Sequence, residues 1–163
     1  METAETVLRF EARVPEIVPG GLVPDGIRLD AHFRESITSG PLMGGTVRGI
    51  DDVLIGLDAV LVLDVRDLIT AQTGGHIAVR DYWYGTPPAG IQLPPPEVLL
   101  RPDVAWPDLA IPLHGVALCQ TGATELTWLN RTALAVEDTA NPDAGTLAVS
   151  AYAFVPIPAL ALT

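Results

Sequence analysis

The sequence predicts an all-β fold, a single-domain antiparallel β-barrel of roughly eight to ten strands with a Pro-rich crossover loop. Three observations carry that expectation. Apolar and polar residues alternate with the period of a strand, as where Ile27, Leu29, Ala31 and Phe33 interleave with Arg28, Asp30, His32 and Arg34. Turn-forming clusters recur between such runs: Ser39-Gly40-Pro41, Gly44-Gly45, Thr73-Gly74-Gly75 and Asn141-Pro142-Asp143-Ala144-Gly145. No segment longer than two turns carries a helical period.

The elements follow in order. Thr6 to Val14 alternates as a half-exposed strand, and Pro15, Pro19, Gly20, Gly21, Pro24 and Gly26 then mark a loop. The strand from Ile27 presents a polar row that is either a solvated outer face or the lining of a polar lumen. Thr46 to Arg48 is a short strand ending at Gly49. Val53 to Thr70 is apolar on both faces. Ala59, Leu61, Leu63, Val65 and Asp67 share one of them, and Val60, Val62, Asp64, Arg66 and Leu68 the other. A hairpin leads into His76 to Tyr84, where His76, Ala78, Arg80, Tyr82 and Tyr84 are in phase. It would bring Asp64 or Arg66 near Arg80 or Tyr82.

Thr86 to Pro112 holds eight of the fifteen prolines, which deny a central strand its backbone donors. Its apolar residues, Trp106 and Leu93 among them, must still pack, so the excursion is a lid over the barrel mouth or an arm on a neighbouring subunit. Leu113 to Cys119, Leu126 to Glu137 and Thr146 to Val155 complete the strands, with Trp128, Asn130, Thr132, Leu134 and Val136 on one face of the second.

Composition narrows the function. A length of 163 residues suits one domain with a substantial core, 1–163. A net charge of −11 argues against nucleic acid and anionic membranes as partners. All nine basic residues are Arg, so a lysine Schiff base, a pyridoxal phosphate linkage and a P-loop lysine are excluded. The single cysteine, Cys119, permits neither an internal disulfide nor a Cys cluster. No apolar run is long enough for a membrane helix, and the acidic start Met1-Glu2-Thr3-Ala4-Glu5 is unlike a secretory signal, so a cytoplasmic location is expected. A mean hydropathy of +0.35 suggests covered apolar surface, hence a homo-oligomer, with a dimer the expected form.

The segment Cys119-Gln120-Thr121-Gly122 followed by Trp128-Leu129-Asn130-Arg131 resembles the C-terminal half of the bacterial family called domain of unknown function 3237. Leu63-Asp64-Val65-Arg66 with the turn and strand up to Val79, and Gly45-Thr46-Val47-Arg48-Gly49, are similar to its preceding elements. The likeness spans about 27–155, and the Trp-Leu-Asn element is its specific part. It implies a small barrel with a central cavity. Some relatives are associated with breakdown of lignin-derived aromatic acids, which implies cofactor-free decarboxylase or lyase chemistry. Gln120 stands where the family usually has an acid, Cys119 where it has an aromatic residue, and Leu57-Asp58-Ala59 lacks the family's tryptophan.

The candidate catalytic residues are Asp64, Tyr82 and Tyr84, as proton donors or acceptors. Arg66 and Arg80 would anchor a substrate carboxylate, and Gln120, Trp128 and Asn130 would line the pocket. Asp64 and Arg66 read equally as a structural ion pair, and Trp128 as core. His32, His76 and His114 have no metal-motif spacing, so no metal is expected, and no nucleotide or nucleophile-elbow motif occurs. The expected activity is a cofactor-independent lyase or decarboxylase, isomerase or cyclase acting on a small hydrophobic, aromatic or polyketide-like acid in the lumen. The alternative is a lipocalin-like carrier with the same pocket and no placed proton-transfer group.

Overall fold

The computed structural model describes residues 4–14, 16–101 and 104–154. Nine strands form one antiparallel sheet: β1 (Glu5–Arg13), β2 (Glu16–Val23), β3 (Gly26–Ser36), β4 (Thr46–Gly56), β5 (Leu61–Thr70), β6 (His76–Gly85), β7 (Ile111–Thr121), β8 (Ala133–Asn141) and β9 (Thr146–Ala153). Their spatial order is β1-β9-β8-β7-β6-β5-β4-β3-β2, a meander to which β1 adds beside β9. The sheet curls so that β1 reaches the segment after β3, where the Arg9 amide donates to the Ser39 carbonyl and the Thr38 amide to the Arg9 carbonyl. A barrel results, closed at that seam by a bridge rather than a full ladder. Among the described residues no helix is long and apolar enough to cross a membrane.

Period-two patterning sets which residues enter. In β6 burial alternates without exception: Ile77, Val79, Asp81 and Trp83 point inward, while His76, Ala78, Arg80, Tyr82 and Tyr84 point out. Leu61, Leu63 and Val65 of β5 and Leu134, Val136 and Asp138 of β8 continue the inner face. Phe10 of β1 stacks on Phe33 of β3 with ring centroids 5.9 Å apart, joining the two sides of the seam.

Several expectations need correction. The Pro15 to Gly26 stretch is not all loop: Glu16 to Val23 is the edge strand β2, which tolerates Pro19 because an edge leaves amides unpaired, and the register shifts between Pro19 and Gly21. Gly49 does not end its strand. β4 runs on to Gly56, and Gly49 is needed within it because a Cβ there would collide with the Asp67 carboxylate and the Phe33 ring. Val53 to Thr70 is two strands, parted by a turn in which Ala59 takes a positive φ of 63°.

Leu126 to Glu137 is not one strand either. Thr124–Arg131 is a 3-10 helix that buries Leu126 and Leu129, three residues apart on one side, over an end of the barrel. Only then does β8 begin. The Pro-rich excursion avoids the sheet as far as Ala110, with the short helix α1 (Pro96–Leu99) as its one regular element among the described residues, but Ile111 and Pro112 already belong to β7, where Pro112 lies opposite Thr139. The excursion packs Leu99 and Leu109 into the core, with Leu93 and Trp106 against it.

Candidate active site

Among the described residues the charged groups that enter the lumen are four carboxyls, each set singly into the inward phase of a different strand: Asp51 of β4, Asp67 of β5, Asp81 of β6 and Asp138 of β8. Cross-strand register explains their grouping. Val65 lies opposite Asp51 on one side and Asp81 on the other, so these two acids flank one valine in a ring of the barrel. Asp67 sits in the next ring, opposite Gly49 and Val79, and Val79 in turn faces Cys119.

Two compartments meet among these groups. An inner cavity of about 40 Å³ is lined by all four aspartates together with Cys119, Trp83 and apolar side chains. An outer chamber of about 100 Å³ has an almost wholly apolar wall and is roofed by Leu93 and Trp106 of the Pro-rich excursion. Asp51, Leu63 and Leu147 line both. Asp51 is therefore the polar group at the neck between them. No Arg or His lines either compartment among the described residues.

Carboxylates without a cation in an apolar enclosure favour their neutral form. Burial pushes Asp51 up to about 8, with the neighbouring Asp138 and Asp81 adding to it. Burial raises Asp67 to about 9, again helped by Asp81 and Asp51. Asp81 is raised by burial to about 7, opposed by the Trp83 indole. Asp138 reaches only about 6, because the Ala148 and Thr139 amides offset part of the burial. Ala148 donates to Asp138 Oδ1 at 2.9 Å. The Oδ1 atoms of Asp67 and Asp81 are buried and accept no hydrogen bond in the structure. Cys119 is held as the neutral thiol by burial and the charges of Asp81 and Asp67, with its pKa near 12, so it is no nucleophile.

The residues singled out in the sequence lie elsewhere. Asp64, Arg66, Arg80, Tyr82 and Tyr84 do come together, as the hairpin spacing implied, but on the outer face of β5 and β6. Arg80 binds Asp64 through Nη2 to Oδ2 at 2.9 Å and Nε to Oδ1 at 3.3 Å. That bond holds Asp64 below the usual carboxylate range, and the Arg80 guanidinium lies 4.9 Å from the Tyr82 ring centroid. None of the five lines the lumen, because each occupies the outward phase of its strand. Gln120 is exposed at the end of β7. Asn130 is not in a strand; its amide closes the β7 turn, accepting from the Thr121 amide at 2.7 Å and donating to the Thr121 carbonyl at 2.9 Å. Trp128 packs half-buried against the core with its Nε1 unpartnered.

A signal for the lumen acids does exist in the sequence. β4, β5, β6 and β8 each carry a lone aspartate within an otherwise apolar phase, as in Leu61, Leu63, Val65, Asp67 or Ile77, Val79, Asp81, Trp83. Denser polarity on the opposite phase masked it.

No protein-family model matches the chain, and no curated protein does. Solved structures resemble it over nearly its whole length. A protein of unknown function from Clostridium acetobutylicum is similar with a TM-score of 0.73 at 17% identity, covering 93% of this chain and 97% of its own. A β-barrel-like protein from Acinetobacter baumannii gives 0.72 at 16%, covering 93% and 94%. A conserved protein of unknown function from Rhodopseudomonas palustris gives 0.72 at 16%, covering 93% and 96%. The chain thus has the fold of these β-barrel proteins.

Proposed function

We propose that the protein is a small-molecule enzyme that moves protons within its lumen, as a lyase, isomerase or cyclase, with no cofactor taking part. The supporting observation is the set of four carboxyls around the inner cavity, one of which, Asp51, also faces the apolar outer chamber, with no Arg or His lining either compartment among the described residues. Groups whose environments push their pKa values apart can serve as acid and base in one site. Here Asp51 and Asp67 hold their protons longest, while Asp81 and Asp138 are the readiest to lose theirs.

In this reading the body of the substrate fills the outer chamber under Trp106 and Leu93, and its reacting end meets Asp51 at the neck. A neutral aspartic acid there donates a hydrogen bond, or its proton, to a carbonyl or alkene. An ionised neighbour in the cluster accepts a proton from an adjacent carbon. Orientation and exclusion of water supply the rest. The chemistry needs only proton transfer, which carboxyls perform unaided.

The expectation of an acidic substrate changes accordingly. Arg66 and Arg80, the expected anchors, face outward, and a substrate carboxylate would add negative charge to a lumen in which no cation lies among the described residues. The substrate proposed is uncharged, compact and largely apolar. The resemblance to domain of unknown function 3237 adds the expectation of a barrel with a central cavity and of cofactor-free lyase chemistry, though not of an uncharged substrate.

The test is native mass spectrometry of the protein against paired panels, uncharged aromatic and polyketide-like ketones, enols and lactones on one side and the corresponding carboxylic acids on the other, following bound mass and product. Uncharged ligands should bind and turn over. Preference for the acids would overturn the substrate class, and uncharged ligands that bind but stay unchanged from pH 6 to 9 would make the protein a carrier.

A further inference from the structure

The outward cluster of β5 to β7 has no role in the lumen, and its pattern is self-complementary. Register places Asp64, Tyr82 and Val116 side by side in one row across the strands, and Arg66, Arg80 and Leu118 in the adjoining row. Within the second row Arg66 and Arg80 stand directly opposite each other, an arrangement of like charges that costs stability in a sheet. Arg80 is neutralised by Asp64, and Arg66 has no ion-pair partner among the described residues. Beside them Val116 is 48% and Leu118 53% exposed, with Tyr82 at 40% and Tyr84 at 59%. Such a contiguous apolar patch next to an unpaired cation marks a surface that is normally covered.

We infer that this face is a two-fold interface with a second copy of the chain, formed by laying the two sheets against each other about an axis that runs between the two rows. Rotation about that axis sets the first row of one copy over the second row of its partner. Asp64 then meets Arg66 of the partner subunit, Tyr82 meets the partner's Arg80, and Val116 meets the partner's Leu118. One operation thus gives the unpaired guanidinium a carboxylate and the exposed valine an apolar contact, and adds a second cation to the Tyr82 ring, which already lies 4.9 Å from its own Arg80. Aligned face-to-face packing of sheets is a standard arrangement, and the curvature of the barrel confines contact to these central strands. Charge complementarity selects a second copy over another acidic partner, because each row supplies what the other lacks.

Sedimentation velocity across a concentration series tests this on the full chain. The wild type should sediment at twice the 17.2 kDa mass of the monomer. Arg66→Asp and Asp64→Arg should each weaken self-association about tenfold or more. Mixing these two variants in equal amounts should restore a dimer, since in the mixed pair every carboxylate at the two positions faces a guanidinium of the other chain. Leu118→Glu, on an exposed position that folding does not need, should give a monomer. Unchanged far-UV circular dichroism verifies the fold of each. A monomeric wild type, a dimer indifferent to Arg66→Asp and Leu118→Glu, or weakened single variants that do not recombine would each overturn the interface.

Discussion

Asp51→Asn should lower turnover of the lumen ligand by about two to four orders of magnitude, while raising the melting temperature at pH 8. The two effects have one cause. Asp51 is the polar group at the neck between the chambers, so the amide fills the same space but can neither deliver nor accept the proton. The same replacement removes a group whose ionisation opposes folding and relieves its repulsion with Asp138 and Asp81. The linkage sets the sign, and with the cost of burying the Asn amide set against it the net gain is on the order of 2 kcal/mol. In a chain of this size it corresponds to a rise of about 4–8 °C. Activity and stability pulling in opposite directions is the pattern of a site residue held at a cost. Ligand binding by native mass spectrometry should persist. Turnover that survives the change, or a lower melting temperature, would show that Asp51 is a structural hydrogen-bond donor instead.

Acidification should stabilise this protein over a range in which proteins with paired carboxylates weaken. Asp51, Asp67, Asp81 and Asp138 all have folded-state pKa values raised above the ordinary carboxylate value of 3.8. Between the unfolded value and the folded ones the native chain binds more protons than the unfolded chain. Stability therefore falls as pH rises. The contribution is complete below about pH 4 and is lost stepwise as pH passes about 6, 7, 8 and 9, the folded values of Asp138, Asp81, Asp51 and Asp67. Asp64, lowered by Arg80, acts in the other sense, but it is half-exposed and screened by solvent, and its loss is confined to the most acidic end. Urea denaturation from pH 5 to 9.5 should show a midpoint that declines steadily. A flat profile would mean that the lumen carboxyls are hydrated or bridged in solution.

Most of the barrel was legible because its inward phase is nearly pure. β3, β6 and β9 could be drawn from alternation alone, and the proline density of 86–112 kept all of that stretch but Ile111 and Pro112 out of the sheet. The sequence was silent where local signals and tertiary context conflict. Pro19 and Gly20-Gly21 look like loop, yet an edge strand has no partner for the missing donor. Gly49 looks like a terminator, yet it is the space into which the Asp67 carboxylate folds. Trp128 and Asn130 fit a strand by phase, but Leu126 and Leu129 gain more by closing the barrel end from a tight helix. The site was missed for a related reason. Polar residues that recur, such as Asp64, Arg66, Arg80 and Tyr82, announce themselves in a sequence, whereas a lone aspartate in each of four apolar phases becomes a cluster only when the strands are laid side by side.

The place of β1 in the sheet bears on how the chain becomes folded. Every other ladder joins strands that neighbour each other in sequence, but β1 pairs Glu5 with Ala153 and Arg13 with Thr146. The hairpins can zip locally, whereas this pairing must gather nearly the whole chain and so comes last. β1 also carries Leu8 and Phe10, which wall the inner cavity. Until it docks, the four carboxyls should remain in water as ordinary anions. Their dehydration is deferred to a single closing event, and the slowest refolding phase at pH 7 should take up protons from solution, visible with an indicator dye in weak buffer. Uptake that precedes that phase would mean the lumen is sealed without β1.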